Sequence, residues 1–130
     1  PAVAVNTDAD NGHKAIEARD WKRAIDHYIR AAAREPRNAD FQNMLGFAWR
    51  KSGNTDQAFK HYNEALRLNP GHRGAHEYIG EAYLMVNNVI KAEEHLAALD
   101  KLCREPCAEF TELKSAIGMH RQRMAGGVPK

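Results

Sequence analysis

A 34-residue period runs through this sequence and constrains its fold more than any other feature. Five tracks of small, aromatic, aliphatic or turn-forming residues recur in step along the chain. Such a period predicts one structural unit used in series, with each copy burying its apolar face against the next. The tracks are Gly12, Gly46 and Gly80; Ala24, Ala58 and Ala92; Tyr28, Tyr62 and Leu96; Ala31, Ala65 and Leu99; and Pro36 and Pro70.

Each unit is predicted to be a pair of antiparallel helices. The glycine and first alanine tracks place small side chains where two helix axes must approach closely. The proline track ends the second helix, because proline lacks a backbone donor and biases the preceding residue away from helix. Gly53 and Asn87 tolerate a left-handed turn between the helices. N-caps of the second helices are predicted at Asp20, Asn54 and Asn88, which are spaced by the same period.

A further helix is predicted after the last repeat. Phe110, Leu113, Ile117 and Met124 recur at helical spacing and form one apolar stripe. A helix with such a stripe would cover the end of the repeat stack, whose core is otherwise exposed to water. We expect this capping helix at residues 107–124 and a flexible tail at residues 125–130.

These residues resemble the tetratricopeptide repeat (TPR), and the middle repeat carries the resemblance most fully. It contains Leu45, Gly46, Trp49, Gly53, Ala58, Tyr62, Ala65 and Pro70 at the spacing of that family. The resemblance implies an all-α, right-handed superhelical solenoid of antiparallel helix pairs, with about seven helices in a single domain spanning residues 1–130. The three repeats would span residues 5–38, 39–72 and 73–106. Repeat one would have a degenerate first helix, since Asn11, Gly12 and Ala15 stand where bulkier apolar residues are expected.

The same resemblance places a partner-binding groove on the first helix of each pair. A protein or peptide is then the expected ligand, held as an extended segment or a helix. Whether Phe47 and Met85 are exposed in the groove or belong to the core stays open, because periodicity alone does not separate the two faces. The predicted groove residues are His13, Ile16 and Glu17; Asn43, Phe47, Arg50 and Lys51; and Glu77, Glu81, Leu84 and Met85.

Some TPR domains hold the acidic C-terminal tails of heat-shock chaperones with lysines and asparagines along the groove. Among the corresponding positions of this chain, only Asn43 has suitable chemistry. The others carry Ala9, His13, Phe47 and Glu77. The resemblance therefore does not predict that partner.

Cys103 and Cys107 are the only cysteines, and Pro106 lies between them. Proline disfavours helix at the residue before it and suits the first turn of a new helix, so the two thiols should lie across a corner. A disulfide that joins repeat three to the capping helix and a pair of buried free thiols both remain open. The run around these cysteines resembles the ends of small bacterial TPR proteins, which slightly favours a periplasmic over a cytoplasmic location.

The histidines do not predict a metal site. His27, His61 and His95 are separated by the repeat period, so they should lie roughly a helix-pair spacing from one another, too far for one ion. We interpret them as a solvated ridge on the second helices. His72 and His76 share one helix face by spacing but lack the glutamate and third ligand of a metalloprotease motif.

Charge and hydropathy exclude several classes of function. The 19 basic and 17 acidic residues leave a formal charge of +2 and are dispersed, so no nucleic-acid footprint is predicted. No apolar stretch approaches the roughly 20 residues that span a bilayer. No catalytic constellation, phosphate loop or cofactor motif is present.

The leading hypothesis is a non-catalytic interaction scaffold that binds a protein or peptide and needs no cofactor. One alternative is a thiol or metal carrier that uses Cys103 and Cys107, with His72 and His76. Another is a self-assembling module that forms homo-oligomers.

Overall fold

A computed structural model describes residues 6–126, and all regular structure in that range is α-helical. The all-α fold and the roughly seven helices that the TPR resemblance implies are both confirmed in this range. The helices are α1 (Thr7–Glu17), α2 (Trp21–Arg34), α3 (Ala39–Lys51), α4 (Thr55–Leu68), α5 (Arg73–Met85), α6 (Val89–Leu102) and α7 (Ala108–Gly126).

The turns between paired helices repeat with the sequence period. Asp20, Asn54 and Asn88 each accept a hydrogen bond from the backbone N–H three residues later, as N-caps do. The residue before each cap has a positive φ: 58° at Arg19, 96° at Gly53 and 60° at Asn87. Only the last two are residue types that favour this conformation, so at Arg19 the fold of the turn overrides local preference.

The first compact unit contains α1 to α4, and the chain divides into its two units between Pro70 and Gly71. Within unit 1, α2 packs against both α1 and α3, and α3 packs against α4. A Cβ built on Gly12 would lie 2.8 Å from the Tyr28 ring, and one on Gly46 would lie 2.6 Å from the Tyr62 ring. Each glycine therefore allows a tyrosine of its own repeat to pack against the first helix.

Unit 2 contains α5 to α7, and in it α7 packs on both α5 and α6. A Cβ on Gly80 would lie 2.7 Å from Leu113 of α7, although Leu96 holds the position that tyrosine has in repeats one and two. Leu113 is fully buried, in a cluster with Leu84, Leu99 and Ile117. The capping helix thus fills the space above Gly80.

The ends of two helices differ in detail from the prediction. α1 has 11 residues where α3 and α5 have 13, because its N-cap is Asn6. α7 continues through Gly126, two residues beyond the predicted end of the capping helix. The predicted tail at 125–130 is therefore helical at its first two residues, and its last four, like Val5 at the predicted start of repeat one, lie outside the described residues.

Candidate binding surfaces

Of the predicted groove residues of α1, His13 and Glu17 are exposed, whereas Ile16 is partly buried and packs against the core of unit 1. His13 and Glu17 lie one turn apart, with Nε2 and Oε1 at 3.5 Å and about two thirds of each side chain exposed. A side-chain contact this exposed contributes little to stability. Both side chains can move toward a ligand at little energetic cost.

Phe47 is the centre of a cluster on α3. Its ring makes an edge-to-face contact with Trp21, the first residue of α2, with centroids 6.1 Å apart and planes at 75°. The Arg50 guanidinium carbon lies 5.5 Å from the Phe47 centroid, and the Lys51 ammonium lies 5.6 Å from it. Phe47 and Arg50 are partly buried, whereas Lys51 is exposed. Two cations and an aromatic pair therefore share one surface of unit 1.

Asn43 lies one turn before Phe47 on α3 and is only 5% exposed. Its Oδ1 is buried and accepts no hydrogen bond from residues 6–126. The prediction that Asn43 lies open in a groove is wrong in this respect. A buried amide oxygen without a donor costs about 1–3 kcal/mol of stability.

In unit 2, Glu77 and Glu81 lie one turn apart on α5, and both are partly buried. Burial is the main cause that raises the pKa of Glu77 to about 8, followed by the hydrogen bond with Glu81 and its charge. The charges of Glu109 and Glu112 on α7 act in the same direction. This part of unit 2 is therefore acidic, and Glu77 is protonated at neutral pH.

Leu84 and Met85 have opposite environments. Leu84 is 7% exposed and packs with Ala92, Leu99 and Leu113, so its predicted place in a groove is wrong: helical phase turns it into the core. Met85 is 55% exposed. The sequence did not settle whether Phe47 and Met85 are exposed or belong to the core. Met85 is at the surface, and Phe47 is partly buried.

The interpretation of His27, His61 and His95 as a solvated ridge is wrong. Each ring is partly buried and its Nδ1 meets a side chain on the first helix of its pair: Oδ1 of Asp8 at 3.0 Å, Oε1 of Gln42 at 2.8 Å and Nδ1 of His76 at 3.0 Å. The sequence period correctly placed the three histidines on the second helices. It did not show that their rings face the first helix of the same pair and not solvent.

The His76 and His95 rings form a tilted pair, and Tyr83 stacks on His95 with centroids 5.8 Å apart. Burial, followed by the charge of His76, lowers the pKa of His95 to about 4. His95 is therefore neutral at physiological pH, when one imidazole N–H can donate to the other ring. This contact joins α5 to α6.

Cys103 and Cys107 lie across the corner between α6 and α7, with their Cα atoms 5.8 Å apart and their Sγ atoms 2.06 Å apart. Cys103 is the C-cap residue of α6, and Cys107 directly precedes α7. The corner inferred from Pro106 is therefore present, and the Cα separation is within the range that a disulfide bridges.

Residues 6–126 contain neither of two other kinds of site. There, no three histidine, cysteine or acidic side chains come together in a way that could hold a metal ion. Within the same range, none of the helices combines the length and apolar character that a membrane crossing requires.

Sequence profiles of the tetratricopeptide repeat match residues 10–73 and residues 50–117, the second spanning just over half of the chain. The chain belongs to the tetratricopeptide repeat family. The family resemblance that the glycine, alanine, tyrosine and proline tracks carry is thereby confirmed.

Several known proteins resemble this TPR chain. The human protein O-mannosyl-transferase TMTC3 is 29% identical over 75 residues, which are 58% of this chain and 8% of that protein. The TPR2B domain of yeast Sti1, in a complex with an Hsp70 peptide, has a TM-score of 0.82 at 20% identity and covers 90% of this chain and 95% of its own. The second TPR domain of human RPAP3, in complex with an HSP70 peptide, has a TM-score of 0.74 at 22% identity. The match covers 84% of this chain and 91% of the RPAP3 domain. At these identities the structural likeness concerns the TPR fold.

Trp21 is the surface residue that sequence reasoning missed in this TPR chain. Thr55 and Val89 hold the corresponding places in the later repeats, so Trp21 belongs to no repeating track. The sequence signal for Trp21 was its residue type, because it directly follows the N-cap Asp20 and tryptophan is highly buried on average in folded proteins. The structure brings it to Phe47 because α2 packs against α3.

Proposed function

We propose that this chain is a non-catalytic protein-interaction module whose first helices bind a peptide or partner helix. The observation that carries the proposal is the exposure of apolar side chains among charges on those helices. Phe47 is partly exposed beside Arg50 and Lys51 in unit 1, and Met85 is 55% exposed one turn after Glu81 in unit 2. Apolar anchors with polar neighbours are typical of surfaces that bind proteins.

Two relatives support the peptide as a ligand class. The Sti1 and RPAP3 domains are TPR folds in complexes with chaperone peptides. This chain has Ala9 and His13 on α1, so we propose a ligand other than those chaperone tails. The proposed binding residues are His13, Ile16, Glu17, Phe47, Arg50, Lys51, Glu77, Glu81 and Met85.

Selection from a randomised library of displayed peptides tests the proposal. Peptides enriched on the full chain would be remeasured against Phe47→Ala, Arg50→Ala, Glu81→Ala and Met85→Ala. We expect the affinity of enriched peptides to fall about tenfold or more for at least one of these variants, because truncated anchors lose roughly 1–2 kcal/mol.

Two substitutions on second helices provide matched controls. Ile29 is 48% exposed on α2 and Ile90 is 73% exposed on α6, so both are surface apolar residues outside the proposed surface. Ile29→Ala and Ile90→Ala should leave peptide affinity unchanged. Failure to enrich any peptide, or affinities unaffected by all four test substitutions, would refute the proposal.

We further propose that Cys103 and Cys107 form a structural disulfide, which suits an oxidising compartment. Their Cα separation of 5.8 Å across the α6–α7 corner supports this over two free thiols. A thiol assay in denaturant should find no free thiol before reduction and two equivalents afterwards. Two equivalents before reduction, in protein purified without reductant, would contradict it.

A further inference from the structure

The surface formed by Trp21, Phe47, Arg50 and Lys51 lies entirely within unit 1 and will be called the cation–aromatic surface. All four residues lie on α-helices, Trp21 at the start of α2 and the others in the second half of α3. Phe47 is three and four positions before Arg50 and Lys51, the spacing that places side chains on one helix face. The surface is therefore organised before any ligand arrives.

The aromatic part of this surface is held in a defined orientation. Trp21 meets Phe47 at 75° with centroids 6.1 Å apart, within the range of favourable edge-to-face pairs. Both rings are partly exposed. An apolar side chain of a ligand can therefore cover ring surface that water now contacts, and each such contact is favourable by about 25 cal/mol per Å² buried.

The charged part attracts anions. Arg50 and Lys51 both lie within about 6 Å of one ring, the distance at which cation–π attraction holds a cation in place. The Lys51 ammonium forms no ion pair with an acidic residue in the part of the chain that the structure describes. Lys51 therefore offers an exposed positive charge with which a ligand carboxylate can pair, and Arg50 adds to the positive potential near the same ring.

Together these features specify a ligand with a carboxylate and an adjacent apolar side chain. We propose that the cation–aromatic surface binds an internal acidic–apolar segment of a partner protein, a more specific form of the proposed peptide-binding function on which it rests. The carboxylate comes from an aspartate or glutamate side chain of the segment. A chain terminus is not needed, because a side-chain carboxylate by itself supplies the negative charge that Lys51 and Arg50 attract.

The peptide selection described above tests this when the enriched sequences are read. We expect acidic residues next to Leu, Ile or Phe to be enriched on the native chain. The affinity of such a peptide should fall at least tenfold for the double variant Arg50→Gln/Lys51→Gln and should fall as salt is raised, because screening weakens exposed charge pairs. Amidation of the peptide C-terminus should change nothing.

Two variants serve as controls and as a rescue. Lys101→Gln removes the same charge from an exposed position on α6 and should leave affinity unchanged. Lys51→Glu should weaken the acidic peptide and strengthen its counterpart with lysine in place of glutamate. Circular dichroism and thermal unfolding of each variant would establish that the fold is retained.

The outcomes separate this inference from the proposed function. Peptides that lose affinity with Glu81→Ala or Met85→Ala, yet bind Arg50→Gln/Lys51→Gln normally, would refute the inference and leave the function standing. Enrichment of basic peptides, or loss of binding on amidation, would refute it as well. So would tighter binding, through Arg50 and Lys51, of mixed phosphatidylcholine–phosphatidylserine vesicles or of single-stranded oligothymidylate. Selection of no peptide at all would overturn both.

Discussion

Gly46 in unit 1 and Gly80 in unit 2 hold the same place in the repeat period, but different kinds of side chain pack against them. Gly46 lies under Tyr62, which belongs to the second helix of its own repeat. Gly80 lies under Leu113, which comes from α7. Gly12 in unit 1 follows the first pattern, under Tyr28. Repeats one and two therefore fill this space from within, whereas repeat three depends on the helix that follows it.

The difference shows what the terminal helix does in this protein. Leu96 replaces tyrosine in repeat three, and the smaller side chain leaves room that Leu113 occupies with no exposure to water. α7 is therefore part of the core of unit 2, in contact with both α5 and α6. Four substitutions, or pairs of substitutions, test the contrast between the two units.

The largest expected effect comes from removing the side chain above each glycine. Leu113→Ala and Tyr62→Ala should each lower the free energy of unfolding by about 2–5 kcal/mol, because both residues are fully buried. Hydrogen exchange should show reduced amide protection in α5 and α6 for Leu113→Ala, and in α3 and α4 for Tyr62→Ala. Met119→Ala, 56% exposed on α7, should cost less than about 0.5 kcal/mol. Equal loss of protection in both units from Leu113→Ala would contradict the contrast.

Removal of the proposed disulfide should affect unit 2 alone. Cys103 and Cys107 are four positions apart, and closing so short a loop stabilises by about 2 kcal/mol in the chain-entropy model. The double variant Cys103→Ser/Cys107→Ser should unfold at a lower urea concentration, and reductant should no longer affect its midpoint. A native chain whose unfolding is insensitive to reductant would argue against the bridge.

Adding a methyl group at each glycine should distinguish the two kinds of packing. At Gly46 the new Cβ would also lie 3.1 Å from the backbone oxygen of Ala58, which cannot move as a side chain can. At Gly80 its nearest neighbours are the terminal methyl groups of Leu113. Gly46→Ala should therefore cost about 1–3 kcal/mol and Gly80→Ala less, as measured by urea unfolding.

Gly118 is the matched control for these alanine substitutions. A Cβ there would meet nothing within 4 Å, and the residue is exposed in the middle of α7. Gly118→Ala should stabilise the protein by up to about 1 kcal/mol, because alanine favours helix over glycine. A cost at Gly80 equal to that at Gly46 would show that Leu113 is held as rigidly as the tyrosine.

The smallest expected effect concerns Glu77, whose counterpart one period earlier is the uncharged Asn43. The pKa of Glu77 is raised to about 8 in the folded chain, above its unfolded value, so the folded state binds more protons between about pH 4.5 and pH 8. Its contribution to stability is present at low pH and is lost as pH rises through 8. Glu77→Gln should remove this loss and raise the free energy of unfolding above pH 8. The increase should be less than about 1 kcal/mol, because the group is partly exposed.

The unfolding stabilities of Glu77→Gln and the native chain should be compared above pH 6.5. The pKa of His95 is lowered to about 4, so its effect has the opposite sign and raises stability with pH only between about 4 and 6.5. Urea unfolding at pH 6.5, 7.5 and 8.5 should show stability falling for the native chain and a smaller slope for the variant. Identical slopes would mean that Glu77 titrates normally.

Much of the fold was predictable because the period acts on local chemistry. The asparagine and aspartate caps, the glycine and alanine tracks and the stripe of α7 each carry a helix signal within a few residues. Surface assignment was harder. Leu84 and Met85 are adjacent, and one is in the core while the other is exposed, since roughly 100° of helical rotation separates them. The sequence pattern did not determine the rotation of α5 about its own axis accurately enough to show which of the two residues is buried.

What the sequence determined alone is the repeating helix hairpin, because the spacing and the N-caps act within one repeat and agree in all three, and the turn residues agree in two. Tertiary structure decided which side chains meet between helices. Leu113 above Gly80, Trp21 against Phe47 and His76 beside His95 join residues that are distant in the chain. Such contacts depend on how neighbouring helices pack and on the volume each side chain leaves to the next, which no local pattern encodes.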